Sequence, residues 1–166
     1  MKTAFIIIDV QNILVETGFE TQKLLEKISY LQDQARKQQI EIIYIQHIET
    51  EEALTSEDWK LSPLLKRQSD EKVFQKRYNS IFKETGLKEY LDQQGIEKLV
   101  LCGMQTEYCV DTSVKVAFEH GYKLVVPEGT VTTFDGDDIP AETINDFYEN
   151  IWDERFADVL DYKTIF

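Results

Sequence analysis

The sequence predicts a single α/β domain, spanning residues 1–166, that is built on a mostly parallel sheet. Short apolar runs alternate with segments in which apolar residues recur every three or four positions, which is the pattern of strands alternating with amphipathic helices. Residues 4–8 and 40–45 are the first two apolar runs, and residues 24–35 between them carry the first helical pattern. This order predicts parallel strands joined by a right-handed crossover.

The later elements continue the same alternation. Gly86 begins a helical pattern that Gly95 ends, and Pro127 closes one of the apolar runs. The intervening residues 49–71 are acidic and irregular, and a connection of this length is typical of a lid or binding loop. Further strands are predicted at 73–74, 99–102, 124–126 and, at the sheet edge, 159–160, and further helices at 87–91, 106–118 and 144–151.

Charge and cysteine content limit the partners and the compartment. A net charge of −13 disfavours binding to nucleic acid and to anionic membrane surfaces, because both would repel it. The first apolar run is too short to span a membrane, and no secretory signal is present. The chain has two cysteines, Cys102 and Cys109. So low a number is typical of a protein whose thiols stay free in a reducing compartment. We therefore expect a cytoplasmic protein without a disulfide.

Cys109 lies where a core strand gives way to a helix. Residues 99–102 form the strand, Gly103 ends it, and Thr106 can cap the helix that follows. Ligands bind beyond the carboxyl ends of strands in parallel sheets, and free N–H groups at a helix start favour a thiolate over a thiol. The alternative is that Cys109 is a small buried apolar residue, as most free cysteines are.

Several common catalytic and binding motifs are absent from the sequence. It contains no Gly-x-Gly-x-x-Gly, no phosphate-binding loop and no Gly-x-Ser-x-Gly. His47 and His120 are the only histidines and have no metal-ligand spacing, so no metal site is expected. His120 lies at the far end of the helix that Cys109 begins, which leaves His47, at the end of its strand, as the histidine that can face the site.

Three polar residues share a position relative to the predicted strands. Asp9, Lys76 and Cys109 each follow a strand at its carboxyl end. These ends lie along one edge of a parallel sheet, so we expect the carboxylate, the amine and the thiol to meet there.

The chain resembles the isochorismatase-like family of cysteine hydrolases, the nicotinamidase-related amidohydrolases, over nearly its whole length. The resemblance rests on an ordered set of fragments: the apolar strand into Asp9-Val10-Gln11, then Lys76 with Tyr78, Ser80 and Phe82, then Thr85 and Leu87, then Gly103-Met104-Gln105-Thr106-Glu107-Tyr108-Cys109-Val110, and Gly121-Tyr122. It implies a three-layer α/β/α domain with a six-stranded, mostly parallel, Rossmann-like sheet. It also implies a homo-oligomer, a dimer or a tetramer.

The same resemblance implies a chemistry for the three residues. Asp9, Lys76 and Cys109 would form a catalytic triad that cleaves a C–N bond of a small amide or ureido-type substrate through a thioester, with no cofactor. A non-proline cis peptide bond would precede Gln105, and the backbone N–H groups of Gln105 and Cys109 would form the oxyanion hole. Glu107 and Asp111 would oppose a thiolate, so their side chains must point away from the sulfur.

The chain also departs from the family pattern. Leu14 stands where many members carry Phe, and the Asp and His ligands with which nicotinamidase-like members hold a metal have no counterpart after His47. Glu128-Gly129 replaces a common Asp-Ala pair. Metal-dependent nicotinamide-type substrates are therefore not expected. The candidate pocket walls are Gln11, Leu14, Trp59, Tyr78 and Tyr108.

Two other functions stay open from the sequence. The first is hydrolysis of the vinyl ether of isochorismate, the reaction that gives the family its name; it needs no thiol, so Cys109 argues against it. The second is a non-catalytic, flavodoxin-like binding module in which Cys109 only packs. Isochorismate turnover in a Cys109→Ala variant separates the thiol chemistry from vinyl-ether hydrolysis, and stoichiometric iodoacetamide labelling of Cys109 that a small amide blocks separates it from the binding module.

Overall fold

Every strand of the sheet runs parallel to its neighbours in the computed structural model, which describes all 166 residues. The main sheet has the order β3-β2-β1-β4-β5-β7, and the two-residue β6 pairs with β4 beyond the end of β5. The predicted six-stranded parallel sheet is thus confirmed, with β6 as a short addition. The strands are β1 (Thr3–Ile8), β2 (Glu41–His47), β3 (Lys72–Lys76), β4 (Lys98–Met104), β5 (Lys123–Pro127), β6 (Val131–Thr132) and β7 (Asp158–Leu160).

Helices cover both faces of this sheet. Alternate residues of β1 point to opposite faces, so Phe5 and Ile7 pack with α2 while Ile6 and Ile8 pack with α3, α4 and α5. The residues of β1 from Ala4 to Ile8 are fully buried, as a continuous apolar run in a two-sided sheet requires. The helices are α1 (Asn12–Thr17), α2 (Thr21–Lys37), α3 (Leu87–Gln94), α4 (Asp111–Glu119) and α5 (Ala141–Trp152). None of them combines the length and the apolar character needed to cross a membrane.

The predicted helix over 106–118 is divided in the structure. Thr106–Val110 forms a single π-helical turn, in which the Val110 N–H donates to the Gln105 carbonyl at 3.2 Å, and α4 begins only at Asp111. Phe118, which the helical pattern assigns to the buried stripe, is 43% exposed. The other three residues of the predicted stripe, Val110, Val114 and Ala117, are fully buried, and the Phe118 ring packs edge-on against Phe156.

The long connection after β2 folds back over the end of β1. It contains three short 3-10 turns, at Glu51–Thr55, Glu57–Trp59 and Pro63–Leu65, rather than the wholly irregular chain that was predicted. Two backbone hydrogen bonds hold it in place, from Asn12 N to Lys60 O at 3.0 Å and from Ser62 N to Val10 O at 2.9 Å. The connection therefore brings Trp59 to the edge of the sheet where β1 ends.

Candidate active site

Asp9 is held at the point where β1 turns into the following loop. Its φ angle is +52°, and its N–H donates to the Ile45 carbonyl of β2 at 3.0 Å, which continues the sheet pairing by one residue. The side chain is only 2% exposed. Its Oδ2 atom accepts a hydrogen bond from Lys76, whereas Oδ1 is buried without any partner in the protein. This free oxygen is available to accept a proton from a nearby group.

Lys76 connects the polar side chains at this edge. It is the last residue of β3 and is fully buried, and its Nζ lies 2.8 Å from Asp9 Oδ2 and 3.2 Å from the Cys109 sulfur. It also contacts His47 Nδ1 and the Tyr78 carbonyl, both at 3.0 Å. The predicted meeting of Asp9, Lys76 and Cys109 at one edge of the sheet is therefore present in the structure.

Cys109 lies in the π-helical turn that follows β4. The peptide bond between Met104 and Gln105 is cis, as the family resemblance implies, and the Gln105 N–H donates no hydrogen bond within the protein. The two nearby carboxylates point elsewhere: Asp111 accepts from the Trp152 indole at 2.9 Å, and Glu107 accepts from the Thr133 hydroxyl at 2.5 Å. Neither carboxylate opposes negative charge on the sulfur directly.

The surroundings of the sulfur nevertheless favour the thiol over the thiolate. Burial, followed by the charge of Asp9, raises the pKa of the Cys109 thiol to about 12, and Lys76 offsets only part of this. Burial also raises the pKa of Asp9 from its ordinary value, against the lowering effect of Lys76. The predicted preference for a thiolate at the helix start is therefore wrong, because desolvation and a neighbouring carboxylate outweigh the free N–H groups.

His47 contributes a neutral imidazole to the same cluster. Because Lys76 has only protons to donate, the His47 Nδ1 atom must accept at the 3.0 Å contact, which puts the ring proton on Nε2. Burial and then the charge of Lys76 lower the pKa of His47, which agrees with this tautomer. The ring lies against Trp59, with 5.9 Å between the ring centroids.

Asp9, His47 and Cys109 are also the one group of side chains whose spacing would suit a metal ion. One candidate ligand atom from each lies within 4.8 Å of the other two. The Lys76 ammonium, however, contacts all three residues, so a cation already lies among these ligands. The donor set therefore fits an ammonium group better than a divalent metal.

A pocket of about 300 Å³ opens above this cluster. It is lined by Asp9, Gln11, Ile13, Leu14, His47, Glu49, Trp59, Asn79, Gln105, Tyr108 and Cys109. Gln11, Leu14, Trp59 and Tyr108 thus lie where the sequence predicted pocket walls. Both polar atoms of the Gln11 side-chain amide have partners. Its Nε2 donates to the carbonyls of His47 and Trp59, and its Oε1 accepts from the His47 N–H. Gln11 therefore holds the pocket wall together.

Tyr78 does not line this pocket. The residue is 40% exposed, and its ring lies under Lys83, with the Lys83 Nζ 4.0 Å from the ring centroid. Only its backbone carbonyl turns inward, where it accepts from Lys76. The chain direction after β3 therefore sends the Tyr78 side chain outward.

Three lining residues were not singled out from the sequence. Asn79 lies three residues beyond Lys76, and its Oδ1 is 3.9 Å from the Cys109 sulfur. Glu49 follows His47 by two residues at the end of β2, and Ile13 lies beside Leu14 in α1. Each of the three residues follows one of the strands β1, β2 and β3, whose ends border the site. This position in the chain is the sequence signal that could have identified them.

Both the sequence and the fold are similar to those of known proteins. The Isochorismatase domain family matches residues 3–163 of the chain. An uncharacterised isochorismatase family protein of Bacillus subtilis, YddQ, is 29% identical over 159 residues, covering 87% of this chain and 88% of the relative. A streptothricin hydrolase of Streptomyces noursei is 28% identical over 83% of this chain, which spans only 51% of that relative's length.

Two further similarities concern an amidohydrolase and a solved structure. A maleamate amidohydrolase of Pseudomonas putida is 37% identical over 59 residues, which cover 36% of this chain and 28% of the relative. The crystal structure of an isochorismatase family protein superposes with a TM-score of 0.91 at 30% identity, covering 96% of this chain and 98% of the other. The sequence and fold comparisons therefore agree on one family.

Proposed function

Because the chain belongs to the isochorismatase family of hydrolases, we propose that it cleaves a C–N bond of a small amide or ureido-type substrate by thiol catalysis. The observation that supports this most directly is the position of the Lys76 ammonium, which contacts both the Asp9 carboxylate and the Cys109 sulfur at the base of a pocket. The similarity to an amidohydrolase and to a streptothricin hydrolase supports the same reaction class.

In the first step, Asp9 acts as the general base. Its unpartnered Oδ1 accepts the proton of the Cys109 thiol as the sulfur attacks the substrate carbonyl carbon. A thiol with a pKa of about 12 needs such a base, because almost none of it is ionised at neutral pH. Lys76 keeps its positive charge beside both groups and stabilises the negative charge as it moves between them.

The tetrahedral intermediate carries its negative charge on the former carbonyl oxygen. The Gln105 N–H, which has no partner in the protein, and the Cys109 N–H are the proposed donors to this oxygen. Asp9 then returns its proton to the leaving nitrogen as the C–N bond breaks, which releases ammonia or an amine and leaves a thioester on Cys109. Asp9 finally takes a proton from the water that attacks the thioester, and it returns this proton to the Cys109 sulfur as the C–S bond breaks, which releases the acid and restores the thiol and the Asp9 carboxylate.

The test is an assay of the purified protein for ammonia release from a panel of small amides and ureido compounds, with isochorismate included. We expect turnover of at least one amide, and at least about a 10³-fold loss of it in Cys109→Ala. Cys102→Ala is the matched control, since Cys102 is fully buried in β4 away from the pocket. Undiminished turnover in Cys109→Ala, or turnover of isochorismate alone, would refute the proposal.

A further inference from the structure

The pocket contains no free positive charge. Neither lysine nor arginine is among its lining residues, and its single histidine, His47, is neutral. The nearest cation is Lys76, which is fully buried and already paired with Asp9 at 2.8 Å. A substrate carboxylate would therefore enter the pocket without a partner, and an unpaired charge in a partly desolvated site is unfavourable.

The connection that begins beside the pocket is rich in acidic residues. Glu49 lines the pocket, and the connection that follows it carries further acids at Glu51, Glu52, Glu57 and Asp58. Arg77 pairs with Glu51, and Lys60 pairs with Glu57. No ion pair neutralises the other three acids. Glu49 at the pocket and the overall net charge of −13 both disfavour the approach of an anionic substrate and favour that of a cationic one.

Aromatic rings form the walls beside Glu49. Trp59 comes from the same acidic connection, and Tyr108 from the π-helical turn, where it is 53% exposed. The faces of Trp and Tyr rings attract cations, and this attraction adds to that of a nearby carboxylate. The mouth thus combines the two kinds of group that bind an ammonium ion.

From this arrangement we propose that the pocket selects amides that carry a positively charged group and rejects amides that carry a carboxylate, with Glu49 and Trp59 as the specificity-determining residues. This substrate class rests on the proposed amide hydrolysis, because it places the reacting carbonyl at Cys109 and the cationic group at the mouth. The preference is several-fold rather than absolute, since Glu49 is exposed to solvent and salt screens it.

The first test measures charge selection without any hydrolysis. Cys109 is alkylated with iodoacetamide, with iodoacetate and with 2-bromoethylamine, and each rate is divided by the rate for N-acetylcysteine at the same pH. We expect iodoacetate to fall at least about threefold below iodoacetamide and 2-bromoethylamine to rise above it, with both differences shrinking in high salt. A corrected rate for iodoacetate equal to or above that of iodoacetamide would overturn the proposal.

A pair of variants identifies the residue responsible. Glu49→Gln is expected to reduce the differences between the three corrected rates by at least about half, whereas Glu52→Gln, on the same connection but outside the pocket lining, is expected to keep most of the difference. If both substitutions have the same effect, the preference comes from the general charge of the loop, and the role of Glu49 is refuted. Trp59→Leu is expected to lower the corrected rate of 2-bromoethylamine more than that of iodoacetamide.

A second test compares hydrolysis of propionamide, β-alaninamide and succinamate, which are neutral, cationic and anionic amides of similar size. We expect the highest kcat/KM for β-alaninamide and the lowest for succinamate. Hydrolysis with no charge preference overturns the substrate class and leaves the proposed function standing. Charge-selective alkylation without hydrolysis of any amide supports the charge selection and refutes the proposed function.

Discussion

The Nζ atom of Lys76 has four polar neighbours but at most three protons to donate. Asp9 Oδ2, His47 Nδ1, the Tyr78 carbonyl and the Cys109 sulfur all lie within 3.2 Å of it. The sulfur is the longest and weakest of these contacts. Lys76 therefore serves mainly as the partner of the Asp9 carboxylate, and it becomes a partner of the sulfur once the thiol proton has moved.

Because the side chains of Asp9 and Lys76 are both buried, the stability of the protein is sensitive to the loss of either charge. Asp9→Asn or Lys76→Met leaves one buried charge without its partner, and each is expected to lower the free energy of unfolding by about 3–5 kcal/mol. The double variant leaves no buried charge, so we expect it to be at least as stable as either single variant. Urea denaturation of the three variants measures this, and additive losses would contradict it.

The protonation state of Cys109 gives a second prediction. With a pKa of about 12, the thiolate fraction rises about tenfold per pH unit, so iodoacetamide alkylation is expected to accelerate from pH 6 to pH 9 without a plateau. Asp9→Asn removes a group that raises this pKa, so alkylation at pH 8 should become faster while hydrolysis is lost. A plateau below pH 8 in the wild-type protein would mean that the resting sulfur is a thiolate.

Sequence reasoning placed Asp9, Lys76 and Cys109 together because their positions at strand ends depend only on the parallel order of the sheet. It could not give the protonation state of Cys109, which depends on desolvation and on the distance to Asp9. Nor could it give the direction of the Tyr78 side chain or the contact between His47 and Lys76. These depend on how the chain leaves β2 and β3, which no local pattern specifies.

β4 and the turn that follows it position the reacting sulfur. β4 pairs with β1 from Lys98 to Gly103, so that Gly103 lies opposite Ile8, the residue before Asp9. Gly103 has a φ of +124°, and a Cβ added to it would lie 2.0 Å from the Ile8 carbonyl oxygen. The close approach of the two strands at this point therefore requires glycine, and it fixes the distance between Asp9 and the Cys109 turn.

Gly103→Ala is accordingly expected to destabilise the protein by about 3 kcal/mol and to remove hydrolytic activity. Gly121→Ala is the matched control, because Gly121 also has a positive φ, of +86°, but an added Cβ would meet nothing within 4 Å. It should cost about 1 kcal/mol and keep the activity. Denaturation midpoints and kcat/KM of the two variants check this, and equal effects would exclude the strand contact as the cause.

The elements themselves were predictable where their patterns are regular. The apolar runs of β1, β4 and β5 and the helical patterns of α2, α3 and α5 lie where the sequence predicted them. The π-helical turn at Thr106–Val110 was not predictable, because it arises from the backbone path after Met104 and not from a change in side-chain pattern. The same holds for the 3-10 turns of the long connection, which tertiary contacts with α1 hold in place.

In the whole molecule, the pocket and the apolar core occupy different parts of the sheet. The carboxyl edge of β1, β2 and β3 carries the pocket and the acidic connection, while α2 on one face and α3, α4 and α5 on the other bury the apolar residues. The alternation of strands and helices predicted the parallel sheet, and the family resemblance implied the three layers. The depth and lining of the pocket depend on the course of residues 48–71, which no periodicity determines.

The family resemblance implies a homo-oligomer, and we propose that the chain forms a dimer or a tetramer. Light scattering of the purified protein is expected to give a mass of two or four times 19.4 kDa. A mass of one chain, at concentrations where the protein hydrolyses its substrate, would contradict this and would show that one chain builds the whole site.

The most direct test of the account is whether Cys109 becomes acylated during hydrolysis. An amide that the protein turns over is mixed with excess enzyme, the reaction is quenched in acid at successive times within the first turnover, and the peptides are mapped by mass spectrometry. We expect the acyl mass to appear on the peptide that contains Cys109 and then to decay. Full release of ammonia in the first turnover, with no acyl mass on Cys109 at any time, would contradict the account.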